Sequence, residues 1–276
     1  MLDELFFKRR YHNNPINYIF FGFLMTIIGI FSAVFLFGLD SSVAQILMVT
    51  ILLMPPVMRL LRKAEIRDKK FGTKNFYENH KDVVVVFICL FLGVFLAYLI
   101  LQLASISNIE WFKQLFSYQL NYIEVNEKMT IGLIESLTST QSTLTILGTI
   151  LSLSLGLISV AFFLSIFYGS GGIFILVLSG SIFSTLFVSV MQMFEFFMHF
   201  SIFSLILFVI MFIPIQVAFI LSSIAGGIIS KAIVSENFNK PSFKLVIKDG
   251  ILLFLISVGI ILVGVLGSFL VLNLLI

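Results

Sequence analysis

Charge is what this chain of 276 residues lacks most: only 11% of its residues are Asp, Glu, Lys or Arg, where a water-soluble domain carries about 25%. A domain of this size cannot hide so much apolar surface from water, because much of any folded surface stays exposed. There is one cysteine, Cys89, so no internal disulfide can form. No Cys/His spacing suggests zinc either, and Cys89 reads as a small apolar side chain, buried or facing lipid. One tryptophan and three histidines leave little material for relays or ligand sets. The sequence has no G-x-S-x-G, no H-E-x-x-H and no P-loop, which removes the usual signatures of serine hydrolases, zinc proteases and nucleotide-driven enzymes. The expectation is a non-enzymatic protein that needs no cofactor and no metal. Any ATP-driven role would require a separate ATPase subunit.

What the chain has is long apolar runs. It is 59% hydrophobic, with 33 phenylalanines and a mean hydropathy of +1.13. A spanning helix needs roughly 20 apolar residues. The pattern predicts an all-α, polytopic transmembrane bundle forming a single domain over 1–276, with spans at 16–38, 43–61, 83–104, 144–168, 173–192, 213–233 and 250–276. Pro55 and Pro56 fall near the end of the second span and imply a kink or an early stop. Between the second and third spans lies a charged loop, 62–82. The longest polar stretch, 105–141, carries Trp111, Tyr118 and Tyr122. It is expected to be partly helical on the membrane surface, where aromatics favour the interface. Gly169 to Gly172 breaks the fourth span from the fifth. The stretch from Met193 to Val234 is about twice one span and is punctuated only by Pro214. With no polar residue to reverse the chain there, the expectation is one crossing, 213–233, preceded by an interfacial or re-entrant helix, Phe194 to Phe212.

Lys and Arg placement orients such a chain, since cytoplasmic loops are enriched in both. With seven spans, fifteen of the 17 basic residues fall on one side, and only Lys113 and Lys128 on the other. The reading is a multi-pass protein of the cell membrane with a cytoplasmic N-terminus and an external C-terminus. Met1 to Pro15 is too polar, and the run after it too long, for a cleavable signal peptide.

Few residues offer chemistry. Glu195 and His199 lie four apart and would share a helix face, as a proton or metal site or as headgroup-level residues; two ligands are too few for zinc. Asp249 opens the last span, where a carboxylate suits a helix N-terminus. Ser179, Gly180, Ser181 and Ser184 in the fifth span, and Ser222, Ser223, Ala225, Gly226, Gly227 and Ser230 in the sixth, are small residues. They permit either tight helix packing or a polar-lined path. Pro214 and Gln216 join Ser179, Gly180, Ser181, Glu195, His199, Gly226, Gly227 and Asp249 as the candidate functional or packing residues. Expected partners are membrane lipids, together with a second copy or another membrane protein; the basic stretch Arg59 to Lys81 suits anionic lipid and is accounted for equally by orientation. Nucleic acid is not expected.

The run Tyr168-Gly169-Ser170-Gly171-Gly172-Ile173-Phe174-Ile175-Leu176, then Ile213-Pro214, then Ala225-Gly226-Gly227-Ile228-Ile229-Ser230-Lys231-Ala232-Ile233, resembles membrane proteins of the stage II sporulation protein M family, in particular its stand-alone archaeal branch. Phe238 to Phe243 with Asp249, the loop ending His80-Lys81 and the Phe91-Leu92-Gly93 run are similar too, so the likeness in layout covers nearly the whole chain. The family commonly has a His-Gly-x-Pro-Glu type stretch where this chain reads Met211, Phe212, Ile213, Pro214 and Ile215, and an Asn where it has Ser179. The resemblance implies a non-catalytic anchor or scaffold, which in sporulating bacteria works with cell-wall hydrolases at engulfment. It also implies a distant likeness to permease subunits. The Ser- and Gly-rich fifth and sixth spans and the expected re-entrant segment before Pro214 supply the alternative, a permease or channel for a small or lipidic solute lined by those two spans.

Overall fold

In the computed structural model, residues 16–39, 41–71, 76–105, 114–121, 143–169, 171–196, 202–235 and 241–273 are described. Among them there is no strand. Seven long helices follow one another: α1 (Ile16–Phe37), α2 (Ser42–Phe71), α3 (Phe76–Ser105), α4 (Thr143–Tyr168), α5 (Gly171–Phe196), α6 (Ile202–Ser235) and α7 (Pro241–Asn273). A short helical segment, 114–121, lies between α3 and α4. Five helical stretches are long and apolar enough to cross a membrane: 16–37, 42–59, 81–104, 213–234 and 243–267. Shorter apolar stretches, Ser154–Phe167 and Gly171–Thr185, lie within α4 and α5.

α6 is the hub. Its apolar stretch 213–234 is 76% buried inside the bundle, against 28% for the stretch 243–267 of α7. Every residue from Ile220 to Ser230 is buried. α7 and α4 pack most extensively on α6, with α5, α2 and α3 completing the ring around it. α1 packs chiefly on α3 and α2. The α1–α3 contact brings backbone against backbone: a Cβ on Gly93 would stand 2.3 Å from the Ile19 carbonyl oxygen and one on Gly22 2.9 Å from that of Leu90. The outward faces are apolar. Phe31 and Phe35 of α1, Phe163 and Phe167 of α4, and Leu255, Val263 and Leu266 of α7 are all exposed. A surface built this way is stable in hydrocarbon and not in water.

Several helices run beyond the apolar segments that announce them. α2 continues through Pro55 and Pro56 to Phe71, and α3 starts at Phe76, so most of the stretch expected as a loop, 62–82, is helical. Lys, Arg and Glu are good helix formers, and hydropathy marks where apolarity ends rather than where the hydrogen-bond ladder ends. The prolines cost α2 two N–H donors without stopping it, a tolerance seen where neighbouring helices support the freed carbonyls.

The expected interfacial or re-entrant helix Phe194 to Phe212 is not a separate element. Phe194 to Phe196 finish α5, and from Ile202 onward the chain is one uninterrupted helix through Pro214 to Ser235. Its 34 residues extend about 51 Å at 1.5 Å per residue, well beyond a hydrocarbon core of about 30 Å. The last helix begins at Pro241, a residue well suited to a first helical position, rather than at Gly250. Asp249 is therefore about two turns inside α7. Helix-terminus electrostatics fade within the first turn, so the capping role expected of Asp249 is not available to it.

Candidate functional site

The small residues of α6 are spent on helix contacts. Ser222 donates its hydroxyl to the Ile158 carbonyl of α4 at 2.6 Å. One turn on, a Cβ at Gly226 would lie 2.4 Å from the Phe162 carbonyl oxygen and 2.7 Å from Ser165 Cβ. Gly169, at the end of α4, has φ +58, a left-handed cap that favours glycine. Its N–H reaches the Ser165 carbonyl at 2.9 Å, and a Cβ there would meet Ser230 Oγ at 3.1 Å. Residues 222, 226 and 230 thus form one stripe seated along α4. Gly227 is buried as well.

α5 meets α3 through its own polar face. A Cβ on Gly180 would lie 3.0 Å from Val94 Cγ1. Gln102 of α3 donates to Thr185 Oγ1 and accepts from Ser184 Oγ at 3.3 Å. Ser184 and Thr185 also bond to the Ser181 carbonyl, at 2.8 and 2.9 Å. Ser179 and Ser181 donate back within their own helix to Leu176 and Leu178, at 3.0 and 2.9 Å. In hydrocarbon these back-bonds satisfy hydroxyls that have no water.

Where three helices meet, polar atoms remain unpaired. A Cβ on Gly172 of α5 would be 3.0 Å from Ser165 Oγ of α4 and 3.1 Å from Ser223 Cβ of α6. The hydroxyls of Ser165 and Ser223 are buried and have no partner. Comparison with protein-family models, with curated proteins and with solved structures gives no match.

Of the other sequence candidates, Pro214 sits against Gly264 of α7, where a Cβ would lie 2.7 Å from Pro214 Cβ. It helps line a groove of about 580 Å³ between α6 and α7 with Val217, Ile260 and Gly267. Gln216 is half-buried, and its Oε1 has no partner. His199 and the Glu195 side chain lie outside the described residues, and so do Trp111 and Tyr122. Asp249 is completely buried, and neither carboxylate oxygen has a hydrogen-bond partner. The structure brings Gly226, Ser222 and Ser230 together on α4, and Gly180 with Ser184 and Thr185 on α3, while the Ser181 hydroxyl bonds within α5. It sets Pro214 apart on α7.

One polar cluster was not singled out from the sequence. The segment 114–121 docks over the α1–α2 turn: Gln45 Nε2 donates to the Leu115 carbonyl at 2.9 Å, the Tyr118 N–H donates to Ser42 Oγ at 3.3 Å, and the Phe116 ring meets Tyr98 edge-on. Gln45, Tyr98, Gln102 and Gln119 are all buried. The available signal was a glutamine or tyrosine standing inside an otherwise apolar run.

Proposed function

We propose that this protein is a seven-span, non-enzymatic scaffold or anchor of a membrane complex, of the kind its resemblance to the stage II sporulation protein M family implies. In this reading the N-terminus is cytoplasmic, the C-terminus is external and the chain meets a second copy or another membrane protein in the bilayer. The observation that carries the proposal is the use made of the small and polar residues of α5 and α6. Ser222, Gly226 and Ser230 seat α6 on α4, and Gly180, Ser184 and Thr185 seat α5 on α3. These residues brace a rigid bundle around α6 instead of lining a wide path. Such a bundle presents broad apolar outer faces on which membrane partners can pack through van der Waals contact.

Crosslinking in the native membrane, followed by purification in mild detergent, tests this. A crosslinked second copy or a stoichiometric membrane protein is expected. A monomer without any partner would argue against a scaffold.

A permease or channel remains the competing reading, favoured by the unpaired hydroxyls of Ser165 and Ser223 beside Gly172. Proteoliposomes that flux small solutes, with flux lost in Gly172→Leu while the protein stays folded, would favour it over the scaffold.

A further inference from the structure

Asp249 is the one acidic side chain that the described bundle buries completely. It lies within the apolar stretch 243–267, about 12 Å along α7 from the helix start at Pro241. Of its neighbours on the chain, Lys244 and Lys248 are exposed; the Lys248 charge acts on the carboxyl through space, but no hydrogen bond joins it to either oxygen. Gly250, the next residue, lets α7 press directly on α6, since a Cβ there would stand 2.5 Å from Ile229 Cγ1 and 3.3 Å from the Ala225 carbonyl oxygen. Val246 and Leu253, one turn to either side of Asp249, are buried too.

The helices packed against α7 are α6, α4 and α2. The acids and bases they carry are few near this point. α6 has only Lys231, and α4 only the Tyr168 phenol. α2 has Arg59 and then the charged run from Arg62 to Lys70. Arg59 is exposed. No group of any of these helices hydrogen-bonds either oxygen of Asp249.

A bare carboxylate in such a place would carry a large desolvation penalty, and an isolated buried charge is neutralised instead. Two routes to neutrality exist. A metal cation requires several oxygen ligands, and no group of three or more acidic, histidine or cysteine side chains gathers among the described residues. A proton requires only one oxygen. The resulting hydroxyl can be directed to a carbonyl of the preceding turn of its own helix. We propose that Asp249 is a proton-binding site in the membrane interior, at the face where α7 meets α6. It holds a proton at neutral pH and releases it only when that contact loosens enough to admit water. An ionisable side chain inside a spanning helix is the usual mark of such a site.

The test is infrared spectroscopy of the full chain in lipid bilayers, with ¹³C placed in the aspartate side-chain carboxyl. The chain has five aspartates, and an ionised aspartate gives no acid carbonyl band. At neutral pH an un-ionised carboxylic-acid band that shifts on labelling is expected. It should be lost in Asp249→Asn and should convert to carboxylate as the pH is raised while the helical amide signal persists. The labelled wild-type reading stands alone if the variant does not fold. Absence of the band at neutral pH would overturn the proposal, as would its survival in folded Asp249→Asn. Persistence until the helices unfold would rule out an exchangeable proton, and loss of the band on adding sodium at fixed pH would point to a metal cation instead.

Discussion

Gly226 and Ser222 occupy the same stripe of α6 but hold it to α4 in different ways. Gly226 leaves room for the Phe162 carbonyl, so any side chain there must force the helices apart. Overpacking of this kind costs about 1–3 kcal/mol, and Gly226→Leu should sit at the upper end because the obstacle is backbone. Ser222→Ala removes one hydroxyl bond to the Ile158 carbonyl. Interhelical bonds in membranes average about 0.6 kcal/mol, so this change should be mild. Cys89 supplies the readout. It is the single cysteine and is buried. A thiol reagent in detergent should modify it much faster in Gly226→Leu than in wild type or in Ser222→Ala. Equal rates in all three would refute the close-contact account.

At the scale of elements, the segment 114–121 is fixed by a few bonds at its edge. Gln45→Ala removes the bond to the Leu115 carbonyl, worth about 1 kcal/mol. Limited proteolysis within 114–121 should quicken, while Cys89 stays protected. The α6–α7 contact at Pro214 has the opposite character, because Gly264 touches the proline ring directly. Gly264→Val should weaken that contact, again by about 1–3 kcal/mol of overpacking, and so lower the thermal midpoint.

The helices were legible in the sequence because lipid removes ambiguity: an apolar run of about 20 residues has one stable form in hydrocarbon. Their ends were not legible. Arg62 to Phe71 and Pro241 to Lys248 extend helices through polar residues that hydropathy reads as loop, and that shift moved Asp249 from a cap to the interior. Pro214 read as a boundary because a proline usually ends a helix, yet α6 continues on both sides of it. The small-residue stripes of α5 and α6 were visible as composition. Which helix each stripe meets could not be read, since that depends on how the helices are arranged around α6. Gln45 and Tyr98 meet the segment 114–121 across long sequence separations, and local pattern does not show which partner each finds.

For the molecule as a whole, the predominantly outward apolar faces and the central position of α6 make sense only with lipid as the surrounding solvent. The proposed orientation rests on Lys and Arg placement. A reporter on a truncation ending at Asn79 should be cytoplasmic, and one on a truncation ending at Glu127 external. The reverse pair would overturn the proposed threading. The most direct measurement is extraction of membranes containing the full chain with alkaline carbonate, followed by detergent. Retention in the carbonate pellet and release only by detergent is the predicted result. Recovery of folded, helical protein in the carbonate supernatant would contradict the account.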